Sequence, residues 1–181
     1  MTVNKCHPLH SVCVLLNAID DHLSRRDFMS PSLTEDLLPK STRIVYKSAA
    51  SDETREDALP IVAYEVGEIS ITPYMASHHI GGGGGTATEM KGSVHFVVST
   101  TNEALTAELA MEIGAYCMSL HKDLQEYGMN ISGITISPVR RGQSNYFEST
   151  VQLGANLGKP VWKHNSNSDI LREIGISLNI I

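Results

Sequence analysis

One stretch constrains the fold more than any other. Between Thr100 and Gly128 the apolar residues Leu105, Leu109, Ile113, Tyr116, Leu120, Leu124 and Tyr127 recur at spacings of three and four. That is the period of one face of an α-helix. Thr100 and Glu103 stand at capping-box spacing, where a hydroxyl and a carboxylate satisfy backbone donors at a helix start. Gly128 supplies the C-terminal stop. The pattern predicts a helix of about 25 residues, roughly 38 Å long. Leu109, Ile113 and Leu120 are expected to be buried against a sheet, while Glu103, Glu108, Glu112, Asp123 and Glu126 give an acidic outer surface.

The flanking segments read as the strands of that sheet. Residues 42–48 and 90–100 alternate as strands do, and residues 61–72 form a longer β-rich run. In that run Val62, Tyr64, Val66, Ile69 and Ile71 are candidates for inward positions. Gly67 breaks the parity between them, where a bulge would sit. After the helix, residues 131–139 and 146–153 surround the turn Arg140-Arg141-Gly142-Gln143, the signature of a β-hairpin. Residues 156–160 form another turn, and Val161-Trp162 a short strand or anchor. Residues 49–59, small and charged, read as an exposed loop or short helix.

At the N-terminal end, Pro8 suits the first position of a helix. Leu9, Val12, Leu16, Ile19 and Leu23 then repeat as one buried stripe. Residues 28–40 read as a connector with at most one helical turn. No repeat of 20–50 residues is present. The expected organisation is an N-terminal helix and connector over 1–40, a core domain over 41–163, and an extension over 164–181 that ends in an apolar segment. The fold class is α+β: a mainly antiparallel sheet packed by one long helix.

Residues 73–89 are the least ordinary part of the chain. They carry His78, His79 and Ile80, followed by Gly81, Gly82, Gly83, Gly84 and Gly85, five of the 14 glycines. A poly-glycine run has no side chains to pack and maximal backbone entropy, so it reads as a loop. It also satisfies a dinucleotide-binding glycine pattern, but trivially. That fingerprint needs a helix after it, and here a strand follows.

Composition narrows the function classes. The chain has 181 residues, 41% of them hydrophobic, enough for one packed domain. Its 14 basic and 20 acidic residues give a net charge of −6, without the basic footprint of a dedicated nucleic-acid binder. Three cysteines do not make a disulfide framework. No targeting or membrane-spanning segment is apparent, so the chain reads as soluble and intracellular at synthesis. Residues 154–159 fall one residue short of a phosphate loop, and Pro160 stands where a magnesium-binding hydroxyl is needed. Cys6, His10 and Cys13 can share a helix face but have no fourth zinc ligand nearby. Nucleophile elbows and His-Glu-x-x-His motifs are absent. The expectation is no catalytic residue, no metal and no cofactor.

The run ending YEVGEISI, the long loop, the strand SVHFVVST, the helix EALTAELAMEIGAYCMSLHKDL and the hairpin ISPVRRGQSNYFESTVQLG together resemble the tail-terminator and neck proteins of tailed bacteriophages. The resemblance covers residues 43–163. It implies a virion structural protein that forms a homo-oligomeric ring, commonly a hexamer, closing the tail tube and joining it to the head connector. It also implies neighbouring tail-tube and connector proteins as partners, with DNA passing through unread. Candidate interface residues are His78, His79, Gly81 to Gly85, Arg140, Arg141, Trp162, Ile180 and Ile181. The alternatives are an adaptor below the portal, a monomeric binding module, and a small enzyme whose site is assembled from distant residues.

Overall fold

The computed structural model describes residues 8–34, 36–39, 41–48, 59–73, 85–142, 145–157 and 161–163, with backbone only at 8–9, 73, 85–88 and 161–163. The elements in chain order are α1 (Pro8–Arg25), β1 (Val45–Ser48), β2 (Ile61–Val66), β3 (Ser70–Pro73), β4 (Gly85–Thr100), α2 (Glu103–Ser119), α3 (His121–Glu126), β5 (Asn130–Ile136), β6 (Arg140–Arg141), β7 (Phe147–Asn156) and β8 (Val161–Lys163). The architecture is α+β. The sheet runs β1-β2-β4-β7-β5, with β3 and β8 paired to β4 and β6 to β7. Each described pairing is antiparallel except β1 with β2.

β4 is the axis of the molecule. Its 16 residues span roughly 50 Å at about 3.3 Å per residue. Val94, Phe96 and Val98 are buried while Ser93, His95 and Val97 are half-buried, so the helical layer covers the first set; on the opposite face Ile61, Ala63 and Ser99 are buried as well. Val151 and Leu153 of β7 continue the face under the helices. α2 lies on it through Leu105, Leu109, Ala110, Ile113 and Cys117, and α1 joins the same core through Val12, Leu15, Ile19 and Leu23. Leu15 takes the inward position expected of Leu16, which is half-buried.

The long helix departs from its expected form in three ways. It is capped by Asn102, whose side-chain oxygen accepts from the backbone N–H of Ala104 and Leu105 at 2.8 and 3.2 Å. Thr100 ends β4, and its hydroxyl accepts instead from the Asn102 N–H. The helix is also interrupted at Leu120, where the Ser119 hydroxyl bonds back to the Tyr116 carbonyl at 2.7 Å, a local competitor of helical hydrogen bonding. Finally, the buried side chains beyond Ile113 are Cys117 and, as expected, Leu124, whereas Tyr116 and Leu120 are half-buried against the core and Tyr127 is exposed. Gly128, in the left-handed region at φ 83°, does close the pair of helices.

The expected bulge at Gly67 is present. Val66 pairs with Val94 and Ser70 with Lys91, so residues 67–69 face residues 92–93. The Gly67 N–H donates to the Ser93 carbonyl at 2.8 Å, and a Cβ at Gly67 would collide with Ser93 Oγ. Of the inward set, Val62 is fully buried, and the half-buried Tyr64 and Ile69 pack against the core. Val66 and Ile71 are exposed, because this part of the sheet runs beyond the helical layer. Of the loop expected over 73–89, Pro73 belongs to β3 and residues 85–89 to β4, while residues 74–84 lie outside the described residues. Residues 49–58 and 164–181 lie outside them too.

Cys117 is fully buried, and burial pushes its thiol up to about 12 from 9.0. A group that holds its proton more tightly when folded stabilises the fold while protonated. The contribution is whole below about pH 9 and is lost as pH rises toward 12, at up to about 1.4 kcal/mol per pH unit. Urea unfolding at pH 8 to 11 should therefore show stability falling in wild type and a shallower fall in Cys117→Ala. Parallel slopes would refute this role for the thiol.

Candidate functional site

The hairpin carries two of the expected interface residues. β5 pairs with β7 from Asn130↔Asn156 to Ile136↔Val151, with a bulge between Ile131 and Gly133. Arg140 and Arg141 are not in the turn, as expected, but form β6 opposite Glu148 and Phe147. Two facts place the turn later. The Gly142 N–H donates to the Tyr146 carbonyl at 2.8 Å, and Asn145 takes the left-handed conformation at φ 53°. Arg141 Nη2 donates to Asn145 Oδ1 at 2.8 Å, bracing the tip. Both arginines are exposed.

Gly85 and Trp162 lie at the opposite end of β4. Gly85 pairs with Lys163 and Thr86 with Trp162, so the two stand on adjacent rungs of the β4–β8 ladder. The fold brings them together and holds them away from Arg140 and Arg141, whose partner β7 meets β4 at Thr100↔Phe147. His78, His79, Gly81 to Gly84, Ile180 and Ile181 lie outside the described residues. Of the possible metal trio, Cys6 also lies outside them, and His10 and Cys13 are exposed. Among the described residues no three His, Cys, Asp or Glu side chains gather as a metal site requires.

The densest polar cluster joins three segments. His22 on α1 and Glu112 on α2 are both buried, with Nε2 and Oε1 2.8 Å apart. The Glu112 carboxylate also accepts from the backbone N–H of Met29 at 2.6 Å and of Ser30 at 2.7 Å. Ser30 Oγ donates to Glu108 at 3.0 Å. The His22 ring lies flat on Tyr116, with centroids 3.8 Å apart, and meets Phe28 edge-on. An open cavity of about 450 Å³ lies beside the cluster, lined also by Asp21, Arg25 and Asp27.

Chemically, this arrangement is a brace. Three donors already occupy the Glu112 carboxylate, and two of them are backbone groups of the connector that would otherwise need other partners. Sequence reading placed Glu112 on an acidic surface and did not single out His22. The usable signal was position: Glu112 precedes Ile113 inside the apolar stripe of α2, and His22 falls between Ile19 and Leu23 of α1. A polar residue on a buried face needs a partner.

The described residues contain no helix long and apolar enough to cross a membrane. No family model matches the chain, and no curated protein matches it.

Proposed function

We propose that this chain is a structural subunit of a tailed-phage neck, forming a ring that terminates the tail tube and joins it to the head connector. The observation that carries the reading is the arm built on β4. Its N-terminal part runs past the helical layer and pairs with β3 and β8, leaving Ile71 60% exposed. A strand extension with an uncovered apolar side chain stabilises little in a lone subunit but offers backbone and side-chain contacts to a neighbour. The order of elements, with this arm before α2 and a hairpin after it, keeps the order of features on which the sequence resemblance to the phage proteins rests. A net charge of −6 suits a channel that passes DNA without gripping it, because few neutralised phosphates mean weak nonspecific affinity.

Light scattering and negative-stain imaging of the purified protein and of particles test the reading. The expected result is a closed ring, six times the 19.7 kDa chain mass, seated between tail tube and connector. Deleting residues 81–85 is expected to abolish docking on the tail. A chain that is monomeric both in isolation and within the particle would overturn the proposal.

A further inference from the structure

The outer face of α2 is only in part the expected acidic surface, with Glu103 exposed and Glu108 half-buried. Glu112 is buried, and the side facing away from the core carries Ala104, Ala107, Met111, Ala115 and Met118 at helical spacing. Met111 is 60% and Met118 54% exposed. Gly114, on the adjoining flank, is so close to Ile136 that an added Cβ would stand 3.0 Å from its Cδ1. The patch therefore continues onto β5, where Ile136 is itself 39% exposed. A helix with apolar side chains on two opposite faces normally has a partner on each.

The opposite end of the sheet has a different shape. There α1 and the segment leading into β1 enclose a concavity of about 310 Å³ lined by Leu23, Arg26, Arg43 and Ile44 among others, with no acidic residue among the described residues that line it. The α2 patch is flanked by the acids Glu103 and Glu108. One end thus presents apolar knobs edged by negative charge, and the other a hollow edged by positive charge. A patch and a pocket at separate places on one surface make a heterologous, head-to-tail contact.

Strand directions agree. β2 and β7 run antiparallel to β4, β1 runs with β2, and β5 runs against β7. The edge strands β1 and β5 are therefore antiparallel to each other. Among the described residues each pairs on one side only. Copies placed head to tail set the β5 of one beside the β1 of the next in antiparallel sense, the more stable ladder.

We propose that Met111, Met118 and Ile136 pack on the α1–β1 end of a neighbouring copy of this chain, with the methionines directed to the hollow lined by Leu23, Arg26, Arg43 and Ile44. The proposal rests on the ring reading and names the surface that closes it.

The test is Met111→Glu/Met118→Glu. Both positions are exposed, so the variant should keep the wild-type circular dichroism and melting temperature. Its self-association in sedimentation should weaken on the order of 100-fold, as for central interface residues. Arg43→Glu, at the other end, should weaken association in the same sense. Finally, with Cys6→Ser and Cys13→Ser as background, Met118→Cys and Arg43→Cys in one chain should give an oxidative ladder of linked subunits, and neither cysteine alone should. A folded, still-multimeric Met111→Glu/Met118→Glu variant without that ladder overturns this interface and leaves the ring reading standing. Dimers from Met118→Cys alone overturn the head-to-tail geometry. A wild-type chain that never associates, alone or in particles, overturns both.

Discussion

Replacing Glu112 with Ala is expected to lower stability by about 3–5 kcal/mol, because several groups that are buried or partly buried lose their shared partner at once. For a domain of this size that corresponds to a fall of about 6–20 °C in melting temperature. The size follows from how many groups lose a partner together. His22 Nε2, the Met29 N–H and the Ser30 N–H all converge on this carboxylate within 2.8 Å, and an unsatisfied buried donor costs about 1–3 kcal/mol. Tyr116 then stacks on a histidine with nothing to orient it. Glu112→Gln keeps one acceptor oxygen and should fall between wild type and Ala. Chemical denaturation of the three proteins measures this directly. If Glu112→Ala costs under about 1 kcal/mol, the carboxylate does not hold the connector in place.

How this brace escaped sequence reading shows which physics is local. Helix α2 was legible because Leu105, Leu109 and Ile113 encode their spacing in the chain itself, and Leu109 and Ile113 are fully buried as expected. The hairpin was legible for the same reason, since Ile134, Val151 and Leu153 alternate and a short turn joins their strands. Gly67 disclosed its bulge through a break in parity. By contrast, His22 and Glu112 are 90 residues apart, and neither has a neighbour in sequence that implies the other.

The exposed β-rich segment failed differently. Val66 and Ile71 obey a strand's alternation, but whether an alternating face is buried depends on what lies over it, and the helices stop short of β3. Likewise, Met111 and Met118 read as ordinary helix residues until the fold puts the core on the other side. The parallel pairing of β1 with β2 left no local mark either. Of the candidate interface residues, Gly85 and Trp162 were named singly, and only the β4–β8 register placed them side by side.

Phe96→Ala should be at least as damaging as Glu112→Ala, by a purely apolar route. Phe96 is fully buried in the C-terminal half of β4, with Tyr64 opposite it on β2 and Val151 on β7. Removing the ring leaves a cavity between sheet and helices that neighbouring strands, fixed by ladders on both sides, cannot close, and such truncations cost about 3–5 kcal/mol. Val97, one residue on, points to the sheet's other face and is half-buried. Val97→Ala should therefore cost about 1 kcal/mol, since it removes part of a side chain from a site water already reaches. The contrast between adjacent residues tests sidedness, which total stability alone does not. Comparable losses at both positions would mean that the second face of β4 is also covered in the isolated subunit. A larger loss at Val97 would place the helical layer on the wrong side of the sheet. It would then take the outward-facing methionines of α2, and the subunit contact proposed for them, down with it.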